Sequence, residues 1–279
     1  MGTIGSLATE RSTVIESQHE GASEPELDVS RSDGTLWIRF NRPAARNAMN
    51  WPMRRQLIAE LTAATVDPSV RLVVIRGDAK AFSAGGDIAE MSRGADDTAD
   101  KLVAGGEIIE LIANMPAPVI AAVQGHAAGA GFSIALACDL IYAADNAIFS
   151  PSFALLGLGP DLSGSYWLPR AVGLHRAKQI LLAGDPLTAA EAAQLGLVAA
   201  VWPLAEFEQK LRERVNHFAG GPTRAYGVIK RVVNSSLDNA LAEQIAYESS
   251  EQLTVVASED HDEALTAFRE KRAPQFRGR

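Results

Sequence analysis

The sequence contains one cysteine, Cys138, so neither an intramolecular disulfide nor a cysteine-rich metal site can form. That residue lies in the apolar run Ala135-Leu-Ala-Cys-Asp-Leu-Ile141, where a buried, unreactive thiol is expected. No stretch of about 18 apolar residues occurs, so no membrane-spanning helix is expected. The first residues lack a basic start followed by an apolar segment, so no secretory signal is expected there. Positive charge is scarce as well: 26 lysines and arginines stand against 34 acids, a net charge of −8. That balance argues against a general nucleic-acid binder. Six of the acids, with Arg11 as the only basic residue, lie within residues 1–30. The remainder is therefore only mildly acidic and can still hold a local basic pocket for an anionic ligand. A reducing, cytoplasmic location fits these absences.

The 279 residues are 47% hydrophobic and 22% charged, which suits one large domain with a substantial core. Residues 1–25, rich in Ser, Thr, Glu and Gly, read as a disordered leader. Order is expected to begin with a hairpin, Leu27-Asp-Val-Ser followed by a turn at Ser32-Asp-Gly34. The next strand is marked by the alternating Leu36, Ile38 and Phe40. Asn50 can cap a helix from Pro52 to about Thr65. Strands are predicted at Leu72–Gly77, Pro118–Val123 and Leu140–Ala144, with helices at Leu102–Met115 and Gly131–Cys138 between them. Such alternation predicts an α/β core over residues 26–203. From 204 to 279 the strand signals vanish and charged amphipathic helices follow, among them Glu206–Ala219 and Thr223–Asn234.

Two glycine-rich turns exceed what core packing requires. Lys80-Ala-Phe-Ser-Ala-Gly-Gly-Asp-Ile88 follows a strand, and its paired glycines let a ligand approach unobstructed N–H groups. A plain tight turn is the simpler reading of this segment alone. Gly125-His-Ala-Ala-Gly-Ala-Gly131 follows a second strand and opens a helix, whose N-terminus suits an anionic oxygen. Close helix–strand packing by small residues explains it equally well. The same glycine spacing, with Tyr226-Gly-Val-Ile-Lys230, also occurs in short-chain dehydrogenases. A dinucleotide-binding turn, however, belongs after the first strand, and here about 100 residues precede it. Tyr226 and Lys230 moreover fall on a C-terminal helix, where a charged, solvated face is the default.

Taken together, these segments resemble the crotonase (enoyl-CoA hydratase/isomerase) superfamily. The resemblance is carried by Asn41-Arg-Pro-Ala-Ala-Arg-Asn-Ala48, Ala81-Phe-Ser-Ala-Gly-Gly-Asp-Ile88 and Ala121–Gly131 with Ala137-Cys-Asp139. It continues through Leu182-Ala-Gly-Asp, Ala189-Ala-Glu-Ala, Gly196-Leu-Val and Phe268-Arg-Glu-Lys-Arg-Ala-Pro, from about residue 27 to the end. It implies a crotonase-type spiral of ββα units with a C-terminal helical trimerisation region, assembled as a homotrimer or dimer of trimers. The partner it implies is an acyl-CoA thioester, with no nucleic acid or membrane. No metal or redox cofactor is called for, since CoA arrives as part of the substrate. By the same resemblance the backbone N–H groups of Gly86 and Ala130 receive the thioester oxygen. Ala84, Asp87 and Ile88 lie along the CoA path, beside a loop that includes Arg46 and Ala48. Arg42, Arg46 and Lys80 are candidates for its phosphates.

Two glutamates that serve family hydratases are missing. Their positions hold Ser133 and Phe153, neither of which is a carboxylate acid or base. Ser133 is expected to hold a water or line the acyl pocket. Asp161, in Gly157-Leu-Gly-Pro-Asp-Leu-Ser, occupies a position where several isomerases of the superfamily carry an aspartate; a turn-capping Asp after proline is the simpler reading. His126 reads as a packing or rim residue and Asp139 as a structural turn residue. The resulting expectation is an isomerase of an enoyl- or ring-acyl-CoA with Asp161 as its one base. The alternatives are an enoyl-CoA hydratase or other crotonase-type lyase or hydrolase, and a non-catalytic acyl-CoA binding protein.

Overall fold

The computed structural model describes residues 25–91 and 95–279, with backbone only for 95–97. The expected leader, residues 1–25, lies outside the described residues apart from Pro25. In chain order the elements are β1 (Leu27–Ser32), β2 (Thr35–Phe40), α1 (Trp51–Val66), β3 (Leu72–Arg76), β4 (Ala81–Ser83), α2 (Ala95–Asn114), β5 (Val119–Val123) and β6 (His126–Ala128). Then follow α3 (Ala130–Ala137), β7 (Leu140–Ala144), β8 (Ile148–Ser150), α4 (Gly164–Val172), α5 (Leu174–Ala183), β9 (Leu187–Thr188), α6 (Ala189–Gln194) and β10 (Ala200–Trp202). Four helices close the chain: α7 (Leu204–Ala219), α8 (Thr223–Ser235), α9 (Leu241–Val256) and α10 (Glu259–Glu270).

Among the described residues the strands form two sheets, ordered β1-β2-β3-β5-β7-β10 and β4-β6-β8-β9. The pairs β3–β4, β5–β6 and β7–β8 each put one strand in either sheet before a helix follows, so the chain winds as a spiral of ββα units. This is the expected α/β architecture. The strands of the large sheet alternate strictly. Val73 and Ile75 face α1 and α2 with Val119, Ala121 and Ile141, whereas Leu72, Val74, Ile120 and Tyr142 face α7 through Phe207, Leu211 and Val215. Both faces are covered, which is why these strands read as continuous apolar runs. The four strands of the small sheet have two or three residues each, too few to show any periodicity in the sequence.

Local chemistry sets the element ends. Asn50 caps α1, its side chain accepting from the Met53 N–H at 3.0 Å, with Pro52 in the first turn. The predicted helix at Leu102 begins earlier, at Ala95.

Lys230 departs from the expected solvated face. It is buried, and its Nζ donates to Asp139 Oδ2 at 2.8 Å and to the Ile112 carbonyl at 2.6 Å. Asp139 also accepts the Val119 N–H at 2.7 Å, so it joins the core to α8 as well as ending a turn. Burial pushes its carboxyl above the ordinary range, and Lys230 opposes that rise. A Tyr–Lys catalytic pair on α8 is thereby excluded, because this lysine is fully engaged in a packing role.

Candidate active site

The strands β4, β6 and β8 are neighbours and parallel. The turns leaving their carboxyl ends carry Ala84–Ile88, Gly129–Ala130 and Ser152–Asp161, and all three border one cavity of about 690 Å³. This is where parallel strands ordinarily present ligand sites. Leu155, Leu156, Leu158, Met91, Ile88 and Leu102 give it an apolar, largely solvent-facing wall.

The first turn is held by buried polar side chains. Asn47, with φ of 57°, donates from Nδ2 to the Ala81 carbonyl at 2.8 Å and accepts the Arg42 N–H at 2.9 Å. Ser83 donates to the Asn47 carbonyl at 2.8 Å and accepts the Gly85 N–H at 3.1 Å. Around Gly86 the N–H groups of Ala84 and Asp87 go to the carbonyls of Arg46 and Met49. The Gly86 N–H meets no acceptor among the described residues, and neither does that of Ala130, the first residue of α3. The two turns touch: a Cβ at Gly85, where φ is +94°, would lie 3.3 Å from the Ala130 nitrogen and 2.8 Å from the Ala128 carbonyl oxygen. Glycine is required at 85 by both the conformation and the contact. Tight packing is also present, because a Cβ at Gly131 would sit 2.7 Å from Ser83. The close-packing reading of the glycine turns therefore holds, and it leaves both N–H groups open. Two unspent donors on adjacent turns, one at a helix N-terminus, can receive an anionic oxygen.

Asp161 lies on the same cavity. Its Oδ1 is buried without a hydrogen-bond partner among the described residues. Burial pushes its carboxyl above the usual carboxylate range, and the charge of Arg54 works against that rise. The two residues that follow, Leu162 and Ser163, have φ of 45° and 59°. Left-handed backbone of this kind costs about 1–3 kcal/mol per non-glycine residue and persists only where its surroundings enforce it. Ser133 is one enforcer, donating from Oγ to the Asp161 carbonyl at 2.9 Å. Leu162, buried beside Gly105, is another. Ser133 is fully buried and is not among the residues that line the cavity; its hydroxyl donates to the loop that bears Asp161.

The remaining candidates divide. Ala84, Asp87, Ile88 and Phe153 line the cavity, while Arg46 and Ala48 do not and serve it through backbone. The Arg46 carbonyl orders Ala84, and the Ala48 carbonyl accepts from Arg42. Arg42 pairs with Asp87 at 2.8 Å and with Glu26 at 2.9 Å, and that pairing holds the Asp87 carboxyl below its ordinary range. His126 is exposed and away from the cavity wall.

Arg54 and Glu90 are among the cavity residues that escaped the sequence reading. Glu90 accepts the Trp51 N–H through both oxygens, at 2.9 and 3.1 Å, at the start of α1. Arg54 is 6% exposed and stands three and seven residues before Leu57 and Leu61, on the buried stripe of α1. A charge on an apolar stripe was the available signal for it.

The enoyl-CoA hydratase/isomerase family profile matches residues 30–279. The 2,3-dehydroadipyl-CoA hydratase of Escherichia coli is 38% identical over 257 residues, 91% of this chain and 99% of that protein. The 1,2-epoxyphenylacetyl-CoA isomerase of the same organism is 34% identical over 251 residues, covering 88% and 96% respectively. The crystal structure of an enoyl-CoA hydratase from Polaromonas sp. JS666 superposes with a TM-score of 0.85 at 33% identity, over 90% of this chain and 99% of that one. Cavity, glycine turns, spiral and relatives agree, and the chain belongs to the enoyl-CoA hydratase/isomerase family of acyl-CoA enzymes.

Proposed function

We propose that the protein isomerises an enoyl-CoA or ring-acyl-CoA by shuttling one proton through Asp161. The thioester oxygen lies against the Gly86 and Ala130 N–H groups. Ionised Asp161 removes a proton from the carbon next to the carbonyl, the electrons move onto the oxygen as a dienolate, and the same carboxyl returns the proton two carbons further along. The double bond shifts into conjugation and no atom is gained. Proton shuttling asks for no metal or redox group, and CoA is part of the substrate.

The observation that carries this reading is the buried oxygen of Asp161, without a partner among the described residues, in a cavity whose other described carboxylates are occupied. Glu90 holds the start of α1 and Asp87 is paired with Arg42. Phe153, where a hydratase would place a carboxylate, supplies an apolar wall instead. Incubation with a 3-enoyl-CoA is expected to produce the conjugated 2-enoyl thioester with unchanged mass. An inert 3-enoyl-CoA together with addition of water to a 2-enoyl-CoA would favour the hydratase reading, to which the 38%-identical relative lends weight. Binding without turnover across an acyl-CoA panel would favour a binding protein.

Ala130→Pro tests the oxyanion donors, since it deletes one N–H at the first helical position, where proline is tolerated. Loss of such a donor is expected to lower kcat about 10²–10³-fold. Unchanged kcat in stopped assays would show that this N–H does not serve the reaction.

The proposed assembly is a trimer or dimer of trimers through the C-terminal helices, which leave Ile229, Val233, Leu241, Ile245 and Leu253 exposed in the single chain. Sedimentation equilibrium reads that directly.

A further inference from the structure

Arg54 is the one charged residue on the core stripe of α1, otherwise built from Met53, Leu57, Leu61 and Ala64. Burying a guanidinium there is costly unless a negative charge answers it. Its Nη1 donates to the Lys101 carbonyl at 3.2 Å, and a Cβ at Gly86 would lie 3.8 Å from Nη2. The head group is thus enclosed beneath the turn that carries Gly86. Its Nε is buried without a partner among the described residues, as is Asp161 Oδ1.

We propose that Arg54 is a positioning residue for Asp161, holding that carboxylate ionised from across the cavity without bonding to its proton-accepting oxygen. The proposal rests on the reading of Asp161 as the base. Asp161 is the leading negative charge acting on Arg54 and Glu90 the second; the charged groups around the cavity are otherwise engaged. Glu90 is bound to the Trp51 N–H, Lys101 lies against Glu90, donating to its carbonyl at 2.7 Å, and Asp87 is paired with Arg42. Arg54 Nε and Asp161 Oδ1 are each without a hydrogen-bond partner among the described residues, so no bond joins them. A direct bidentate pair would occupy the oxygens that must take up the proton. Charge acting through space stabilises the carboxylate and leaves them open. The arrangement answers a real need, because burial alone drives Asp161 toward its neutral form, which cannot begin the cycle. The charge of Arg54 opposes that drift.

The test follows the ionisation of Asp161 in the full-length enzyme and in Arg54→Gln, Arg54→Met and Arg54→Lys. The carboxylate infrared band of ¹³C-aspartate-labelled protein is titrated and assigned by its disappearance in Asp161→Asn, and the acid limb of kcat/KM is recorded in parallel. Neutralising Arg54 is expected to raise the midpoint by about 1 unit or more, with at least a tenfold loss of kcat/KM on the acid limb and a smaller loss at alkaline pH. Lysine, which keeps the charge, is expected to restore most of the midpoint; a packing role would not be rescued in this way. If one neutral residue is not tolerated, the other supplies the folded comparison. A midpoint that stays fixed in every folded variant, or activity lost equally at all pH values, overturns the proposal. A rise in KM with an unmoved acid limb does so as well, and assigns Arg54 to substrate contact. Near-normal turnover in Asp161→Asn together with a shifted band would instead sink the base assignment while leaving the electrostatic pairing intact.

Discussion

Asp161→Asn is expected to lower kcat for isomerisation by about 10²–10⁴-fold, the range that a positioned general base supplies. Asparagine fills the same volume, so the Ser133 contact to the backbone carbonyl at residue 161 survives and the left-handed backbone at Leu162 and Ser163 remains enforced. What changes is that the amide cannot take up a proton at neutral pH. KM and the affinity for CoA thioesters should therefore move little, since the residues assigned to the CoA path lie on the opposite turn. A melting temperature close to that of the parent checks the fold. Near-parental turnover with intact binding would remove Asp161 from the mechanism. The pH profile carries a sign of its own. Burial raises the Asp161 carboxyl, so activity should rise with pH through a limb above the ordinary aspartate value and plateau once the group is ionised. An acid limb lying below that value would contradict the buried, base-active carboxylate.

Lys230→Met is expected to have the largest effect on stability, about 3–5 kcal/mol, because it strands a buried carboxylate. Lys230 and Asp139 meet at 2.8 Å with side-chain exposures of only 5% and 21%. The loss should depend on pH in a defined direction. Without the lysine, the folded-state carboxyl of Asp139 rises further above its unfolded value. The folded form then holds a proton that the unfolded chain releases, and stability falls as pH climbs between those two values. The destabilisation should therefore be greatest at neutral and alkaline pH and shrink on acidification. The double variant Lys230→Met/Asp139→Asn should recover much of the loss, since neither residue is then a buried, unpaired charge. Urea unfolding of the four species at two pH values closes the cycle. A pH-independent loss that the second substitution does not relieve would mean that Lys230 acts through packing alone.

These two residues illustrate what local pattern conveys. The hairpin at Leu27–Phe40, the Asn50 cap and the apolar strands β3, β5 and β7 were all legible, because each depends on its own few residues and their immediate period. The glycine turns were legible as exceptions to core logic, and the resemblance gave them order and spacing. Lys230 was misread for the opposite reason. Its helix looks charged and amphipathic, and nothing in its neighbours reveals a carboxylate 91 positions away. Ser133 was similar: the sequence shows a small polar residue in an apolar helix, while its partner, the Asp161 carbonyl, lies 28 residues further on.

The sequence by itself determined the alternation that makes an α/β core, the two glycine turns and the presence of Asp161. Each is a property of residue type and near-neighbour spacing, which the chain carries before it folds. Only the tertiary structure decided that β4, β6 and β8 align three distant turns around one cavity. It also decided that Ser133 pins the loop bearing Asp161, and that Arg54 and Asp161 face the same cavity without bonding. Burial and through-space charge belong to positions in three dimensions, and three-residue strands too short to show a period are what set those positions.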